Sequence, residues 1–377
     1  EKVAHKCSPG IDRINKASFE KRLDEYTNII SRKVLNGTYE FIPYKEKLIS
    51  KGYGKSPRQI SIPSIRDKVT LCLLNEILTK SFENEVSNKI IQTLVDELKQ
   101  EINSYNYNFF IKIDIKEFFS SISHPEILKL ISKRIRKKSI LELIEKAIKT
   151  PTLSFPTKET IDNKIGIPQG ISIASILANI YLSDIDKTYS IDNKEFKYFR
   201  YVDDILILCN DKNYEGIRER IFSKLKALDL SVSCHKYKES SIYDGFSYLG
   251  YSFEILNEKS GDYGFTVRKE SVKKFEDSLV KIFSEFKFSK NKNSEKFLWR
   301  INKKITGCIF DKSKYGWLFF YSQIDDLPLL YHLDWFIQKL CDQFEIDNNI
   351  RHNIKRFVRT FHEVKFNLNS TNYIPNF

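Results

Sequence analysis

Three carboxylates interrupt stretches of sequence that are otherwise apolar. In Phe109-Phe110-Ile111-Lys112-Ile113-Asp114-Ile115, the residues Phe109, Ile111, Ile113 and Ile115 alternate with Lys112 and Asp114, which is the two-residue period of a strand. A carboxylate at the end of so apolar a strand is costly unless it is exposed, paired or bound to metal. A second apolar strand, Phe199-Arg200-Tyr201-Val202, meets Asp203-Asp204 and resumes as Ile205-Leu206-Ile207-Leu208. Two strands joined in this way predict a tight hairpin. Short hairpin turns favour Asn-Gly or Asp-Gly, so Asp-Asp serves turn stability poorly, although the dipeptide alone also fits an ordinary acidic turn. Adjacent carboxylates repel, a third at Asp114 adds to the repulsion, and divalent cations relieve it. Mg²⁺ suits carboxylates combined with phosphates and water. Two such ions, roughly 3.5–4 Å apart, can activate a 3′-hydroxyl and stabilise a departing pyrophosphate during in-line displacement.

The elements that must position these groups fall into three stretches. The first hundred residues mix helical segments with a basic run, Lys55-Ser-Pro-Arg58-Gln-Ile-Ser-Ile-Pro63, in which Ile60 and Ile62 alternate with Gln59 and Ser61 as in a half-buried strand. The centre, roughly 105 to 255, carries several strand signals and one clear helix after Gly170. In that helix Ile173, Ile176, Leu177 and Ile180 form a buried stripe, and Ala174, Ser175 and Ala178 keep another face shallow. From about 265 onward the period is helical, with Leu330, Leu333, Ile337, Leu340, Cys341 and Phe344 at steps of three and four. The aromatics Trp317, Phe319, Phe320 and Trp335 at helical spacing predict core packing or, for a few of them, stacking on the bases of a bound RNA or nascent strand. The run Lys133-Arg134-Ile-Arg136-Lys137-Lys138 predicts either a solvated helix face or a phosphate contact.

Composition narrows the partners. The 377 residues carry 62 Lys+Arg against 49 Asp+Glu, a net charge of +13, which suits a polyanion because neutralising phosphates releases counterions. No apolar run reaches the ~18–20 residues of a spanning helix, and the first residues lack the apolar core of a signal peptide. The six cysteines stand singly without a CxxC pair, so neither zinc nor a disulfide framework is expected. A soluble, cytoplasmic protein is the expectation.

Tyr201-Val202-Asp203-Asp204 resembles the catalytic box of reverse transcriptases, and it has company in the right order. Asp114-Ile-Lys-Glu-Phe-Phe119 is similar to the family's first catalytic motif. Gly166-Ile-Pro168-Gln169-Gly170, followed by Ile171-Ser-Ile-Ala-Ser-Ile-Leu-Ala-Asn-Ile180, is similar to the second. Upstream, Arg58-Gln-Ile-Ser-Ile-Pro63-Ser-Ile-Arg66-Asp67 resembles the finger segment of bacterial and group II intron-like members, and Tyr248-Leu249-Gly250-Tyr251 resembles the primer-grip turn. The resemblance covers about residues 8 to 255.

It implies an α+β right-hand polymerase: fingers over 1–104, palm over 105–125 and 165–260, a connection over 126–164, and an α-helical thumb over 261–377. It implies an RNA-directed DNA polymerase that adds dNTPs to a primer 3′-hydroxyl. Two Mg²⁺ ions, replaceable by Mn²⁺, would be held by Asp114, the Ile115 carbonyl, Asp203 and Asp204. Lys55 and Arg58 would bind triphosphate, and Phe119 would act as the steric gate against a ribose 2′-hydroxyl, with Phe118 a core residue. Pro168, Gln169 and Gly170 would line the templating base and incoming nucleotide. Lys238, in His235-Lys-Tyr-Lys238, would protonate the leaving pyrophosphate. The family's usual following Thr is Glu239 here, and Lys236 is a near neighbour. Tyr248, Leu249 and Gly250 would grip the primer.

Gly10-Ile-Asp12 and Gly37-Thr-Tyr39 resemble group II intron-like enzymes. In the tail, Lys304-Ile-Thr306-Gly307, Tyr315-Gly-Trp317-Leu-Phe-Phe320 and Leu329-Leu330-Tyr-His-Leu-Asp334 resemble the bacterial antiphage defence enzymes. A noncoding RNA template in antiphage defence is therefore the leading expectation. The alternatives are template-independent or protein-primed DNA synthesis at the same site, a retron or intron-maturase enzyme, and an RNA-binding scaffold. The expected partners are RNA template, DNA product and dNTPs, with no membrane. A homo-oligomer or a partner protein remains open.

Overall fold

A computed structural model describes residues 8–50, 52, 54, 56–86, 89–104, 107–155, 161–190, 195–310 and 313–366. The predicted strands pair as their alternation requires. Phe196–Tyr201, Asp204–Cys209, Phe109–Asp114 and Lys238–Ser241 follow one another in a four-stranded sheet. Tyr44–Ile49 pairs antiparallel with Arg58–Ile62 and parallel with the short Thr152–Leu153. A third sheet orders Asp262–Val267, Tyr251–Asn257 and Phe246–Tyr248. Helices and sheets are mixed along the chain, an α+β architecture.

Two compact units emerge. The first comprises Glu1–Asn88, Lys112–Ile205 and Glu215–Lys238, and the second Lys89–Ile111, Leu206–Tyr214 and Glu239–Phe377. In the first, the helix Ala174–Tyr189 is the central support. Its predicted stripe of Ile176, Leu177 and Ile180 is buried, but Ala174, Ala178, Tyr181, Leu182 and Ile185 are buried too. The helix is thus covered on several sides, and its alanines lie within packed faces. The helix Ile65–Ser81 begins with a Ser64 side-chain cap on the Asp67 N–H. The carboxylate of Asp67, fully buried, accepts bonds from the Tyr39 hydroxyl at 2.8 Å and the Ile42 N–H at 3.3 Å.

In the second unit the predicted helix spans Leu327–Gln343, with Leu330, Leu333, Ile337, Leu340 and Cys341 buried and Phe344 as its C-cap. These side chains share a core with Phe275, Leu279 and Phe283 of Lys269–Lys287, Ile301 and Ile305 of Ser294–Thr306, and Phe357 and Phe361. The Asp334 carboxylate accepts the Phe357 N–H at 2.6 Å, tying the last described helix to this core. No helix among the described residues is long and apolar enough to cross a membrane.

Three local expectations are corrected. In Arg58–Ile62 it is Ser61 that is buried, while Ile60 and Ile62 are half-buried. The reason is non-local, since the Ser61 hydroxyl shares a 2.7 Å hydrogen bond with that of Thr152. The basic run 133–138 is not a helix face. It links His124–Ser132 to the helix beginning at Lys138, burying Ile135 and pairing Arg134 with Glu85. Of the tail aromatics, Phe319 is buried and Trp317 stacks on Phe275, but Trp335 is 55% exposed.

Candidate active site

In the first unit, backbone bonds set the end of the Asp114 strand beside the Asp203-Asp204 turn. Phe109–Asp114 ends at the first of the three carboxylates, and the next residue, Ile115, donates its N–H to the Asp203 carbonyl at 3.1 Å. On its other side the chain is held by Ser233 N–H to Asp114 O (2.8 Å) and Lys116 N–H to Ser231 O (2.8 Å). These two bonds flank the Ile115–Val232 bridge and leave the Ile115 carbonyl outside that ladder. Asp203 therefore sits beside Asp114 because its strand does.

The hairpin turn that carries Asp203 is under strain. Val202 has φ +57°, a left-handed conformation that a β-branched side chain adopts only where surroundings impose it. Glu117, three residues after Asp114, is also left-handed at φ +48°. It caps the short helix Phe118–Ser121, which buries Phe118 and leaves Phe119 half-buried.

The chain from Gly166 to Gly170 is fastened to both neighbours. Gly166 N–H donates to Ile122 O at 2.9 Å and Ile167 N–H to Phe119 O at 2.7 Å, while Gln169 O accepts the Ser61 N–H at 2.6 Å. The two glycines are needed. A Cβ on Gly166 would lie 2.9 Å from the Ser120 backbone, and one on Gly170 would lie 2.8 Å from Ser61 O, both at positive φ. Pro168 is buried, Gln169 half-buried and Gly170 exposed. His124 adds a bond from its ring Nε2 to Gly166 O at 2.7 Å.

Burial raises the Asp203 carboxyl above its ordinary range, and the Asp114 charge adds to this, while Lys236 and Arg58 oppose it. Arg58 is exposed and is the first residue of its strand. Lys236 Nζ lies 2.7 Å from Asp114 Oδ2, and Lys112 Nζ lies 3.9 Å from Asp204 Oδ1. Sequence reasoning favoured Lys238, which opens its strand on the exposed side. The ammonium seated on Asp114 belongs to the turn residue two positions earlier. Lys55 lies outside the described residues.

Among the described residues no three His, Cys, Asp or Glu side chains are close enough to chelate one ion. The donor set nonetheless fits a hard divalent cation. It offers only oxygen ligands, and two of its three carboxylates already draw a lysine ammonium.

Sequence reasoning missed Arg200. This charged residue in an apolar strand has a side chain only 6% exposed, paired with Asp186. The signal was present, since a lone arginine among Phe199, Tyr201 and Val202 needs a partner, but the partner's identity is tertiary.

In the second unit, Tyr248 pairs with Tyr251 across a two-residue turn, Leu249-Gly250, with φ values of +49° and +92°. That is the type I′ geometry of tight hairpins. Tyr248 and Tyr251 are fully buried, and the Tyr251 hydroxyl donates to Phe320 O.

Comparison with known proteins agrees with this geometry. Residues 46–253 match the family model described as reverse transcriptase (RNA-dependent DNA polymerase). Protein YkfC of Escherichia coli is 25% identical, with 76% of this chain and 87% of that protein covered. The group II intron-encoded protein LtrA of Lactococcus lactis is 29% identical over 44% of this chain and 28% of its own length. Putative COX1/OXI3 intron 1 protein of Saccharomyces cerevisiae is 29% identical over 43% of this chain and 20% of its own. With the matched region covering more than half of the chain and enclosing Asp114, the Gly166–Gly170 loop and the Asp203-Asp204 turn, the chain belongs to the reverse transcriptase family of RNA-directed DNA polymerases.

Proposed function

We propose that this enzyme extends a primer 3′-hydroxyl with dNTPs on an RNA template, using Asp114, Asp203, Asp204 and the Ile115 carbonyl to hold two Mg²⁺ ions. The observation that carries the proposal is the 3.1 Å bond from Ile115 N–H to Asp203 O, which joins the strand of Asp114 to the acidic turn. When bound, the metal pair supplies activation of the primer hydroxyl and stabilisation of the leaving pyrophosphate.

The remaining residues orient and select. Arg58, with Lys55, offers guanidinium and ammonium donors to the triphosphate. Phe119, positioned by the left-handed turn at Glu117, presents its half-buried ring to the sugar and screens the 2′-hydroxyl. Pro168, Gln169 and Gly170 form the floor of the template–nucleotide pair, fixed to the strand of Arg58 by the bond to Ser61. The leaving pyrophosphate takes its proton from the 236–238 segment. Lys238 is the residue its motif selects, and Lys236 is the one placed at Asp114. Tyr248, Leu249 and Gly250 grip the primer, and residues 261–377 act as a thumb.

The tail motifs 304–307, 315–320 and 329–334 support a role in antiphage defence with a noncoding RNA as template. Sequencing the nucleic acid that copurifies with the protein from its native cells, with Asp203→Ala/Asp204→Ala as control, tests this. A defined RNA and its complementary DNA, the DNA present only with the wild type, is the expected result. Random or homopolymeric DNA without a complementary RNA would instead establish untemplated synthesis.

A further inference from the structure

The guanidinium of Arg200 connects three elements of the first unit. Its Nε and Nη2 form a two-pronged pair with Asp186, the Nε–Oδ1 distance being 2.7 Å. Its Nη1 donates to Asn179 Oδ1 at 3.2 Å and to the Val202 carbonyl at 2.9 Å. Asp186 accepts a further bond from the Tyr198 hydroxyl at 3.0 Å. Asn179 and Asp186 both stand on the helix Ala174–Tyr189. An arginine suits this place, because its planar fork matches a carboxylate and still leaves a nitrogen for a carbonyl, which an ammonium cannot do with the same geometry.

We infer that Arg200, held by Asp186, is a positioning residue that clamps the Val202–Asp203 peptide and so aims the Asp203 carboxylate at the metal site. The Val202 carbonyl and the Asp203 N–H belong to one planar unit, so fixing that oxygen fixes the plane from which the Asp203 side chain departs. The next carbonyl, of Asp203 itself, is fixed by Ile115 N–H. Asp203 is thus held at both of its peptide bonds, once from the helix through a guanidinium and once from the strand of Asp114. These bonds help keep Val202 at φ +57°, a strained conformation that persists only where the surroundings over-determine it. A buried ion pair is by itself weak evidence of stability, since apolar replacements are often as stable. Its value here lies in the third contact, to the turn. The inference rests on the reading of Asp203 as a metal ligand.

Mn²⁺ binding to the full chain without nucleic acid, followed by electron paramagnetic resonance of the free ion, is the direct test, beside the Mg²⁺ half-saturation of primer extension and the melting temperature. Two variants separate positioning from folding. The double variant Arg200→Met/Asp186→Leu removes both charges and is expected to melt near the wild type. Arg200→Lys keeps a cation beside Asp186 without reaching Val202 O, and it answers the question if the double variant fails to fold. In both, the Mn²⁺ dissociation constant and the Mg²⁺ half-saturation should rise at least about fivefold and kcat should fall, with KM for primer–template unchanged. Wild-type metal binding in the variants, whatever their melting temperature, overturns the clamp alone. A wild type that binds no Mn²⁺, or an Asp203→Ala variant that binds it normally, overturns the assignment of the site and the clamp with it.

Discussion

Two hairpin turns of this chain solve one backbone problem in opposite ways. At Leu249-Gly250 both residues take positive φ, and the second is glycine, the residue that does so at little cost. At Val202-Asp203 only Val202 takes positive φ, in a residue type that resists it and at the position where such a turn would carry glycine. The first turn is chosen by geometry: a Cβ on Gly250 would lie 3.3 Å from Phe320 Cε1. The second is chosen for charge, and neighbours such as Arg200 and Ile115 hold it in place. Where a turn breaks the local rules of its type, the surrounding bonds show what it is kept for.

The widest separation between the turns should come from giving the acidic one the sequence its geometry prefers. Val202→Gly with Asp203→Asn should fold and melt at or above the wild-type temperature. It should also lose dNTP incorporation by about three decades or more, equivalent to several kcal/mol of transition-state stabilisation. Next is Phe119→Ala, which should raise the use of NTP relative to dNTP by about tenfold, or ~1.4 kcal/mol, measured as a ratio of kcat/KM. It has no counterpart at the Leu249-Gly250 turn.

Smaller effects test the cost of the backbone directly. Gly250→Ala should destabilise by ~1–2 kcal/mol because φ +92° is closed to alanine, read as a lower melting temperature. Val202→Gly should do the reverse. It relieves ~1–3 kcal/mol of strain and gives back ~0.4–1 kcal/mol through the freer unfolded chain, while activity falls severalfold as the turn loosens. If Val202→Gly destabilises instead, the contrast between the turns is wrong.

The smallest effect is a control distant in sequence from both turns. Glu85 hydrogen-bonds Lys187 and Arg134, which hold its carboxyl below the ordinary range. A lowered carboxylate contributes stability above the unfolded value near 4.5 and loses it as the pH falls through the lower folded value. Glu85→Gln should therefore cost under about 1 kcal/mol at pH 7, and the difference should vanish in acid, with dNTP incorporation unchanged throughout.

The sequence made some of these features legible and hid others. Asp114, Asp203-Asp204 and the helix Leu327–Gln343 could be read because their signals are local: a charge in an apolar strand, and a period of three and four. The buried face of Arg58–Ile62 was read wrongly because its partner, Thr152, lies 91 residues away. Of the two readings open for the basic run 133–138, the helix face fails because burial of Ile135 and pairing to Glu85 are tertiary facts. The strain at Val202 could not be read at all, since valine gives no sign of positive φ. The role of Arg200 required knowing that Asp186 and Val202 O converge on it.

The most direct test of the central claim is primer extension on a defined RNA template with dNTPs and Mg²⁺, sequencing the product from the wild type and from Asp203→Ala/Asp204→Ala. The account predicts DNA complementary to the template from the wild type and none from the variant. Equal incorporation by both, or no Mg²⁺-dependent incorporation by the wild type, would contradict it.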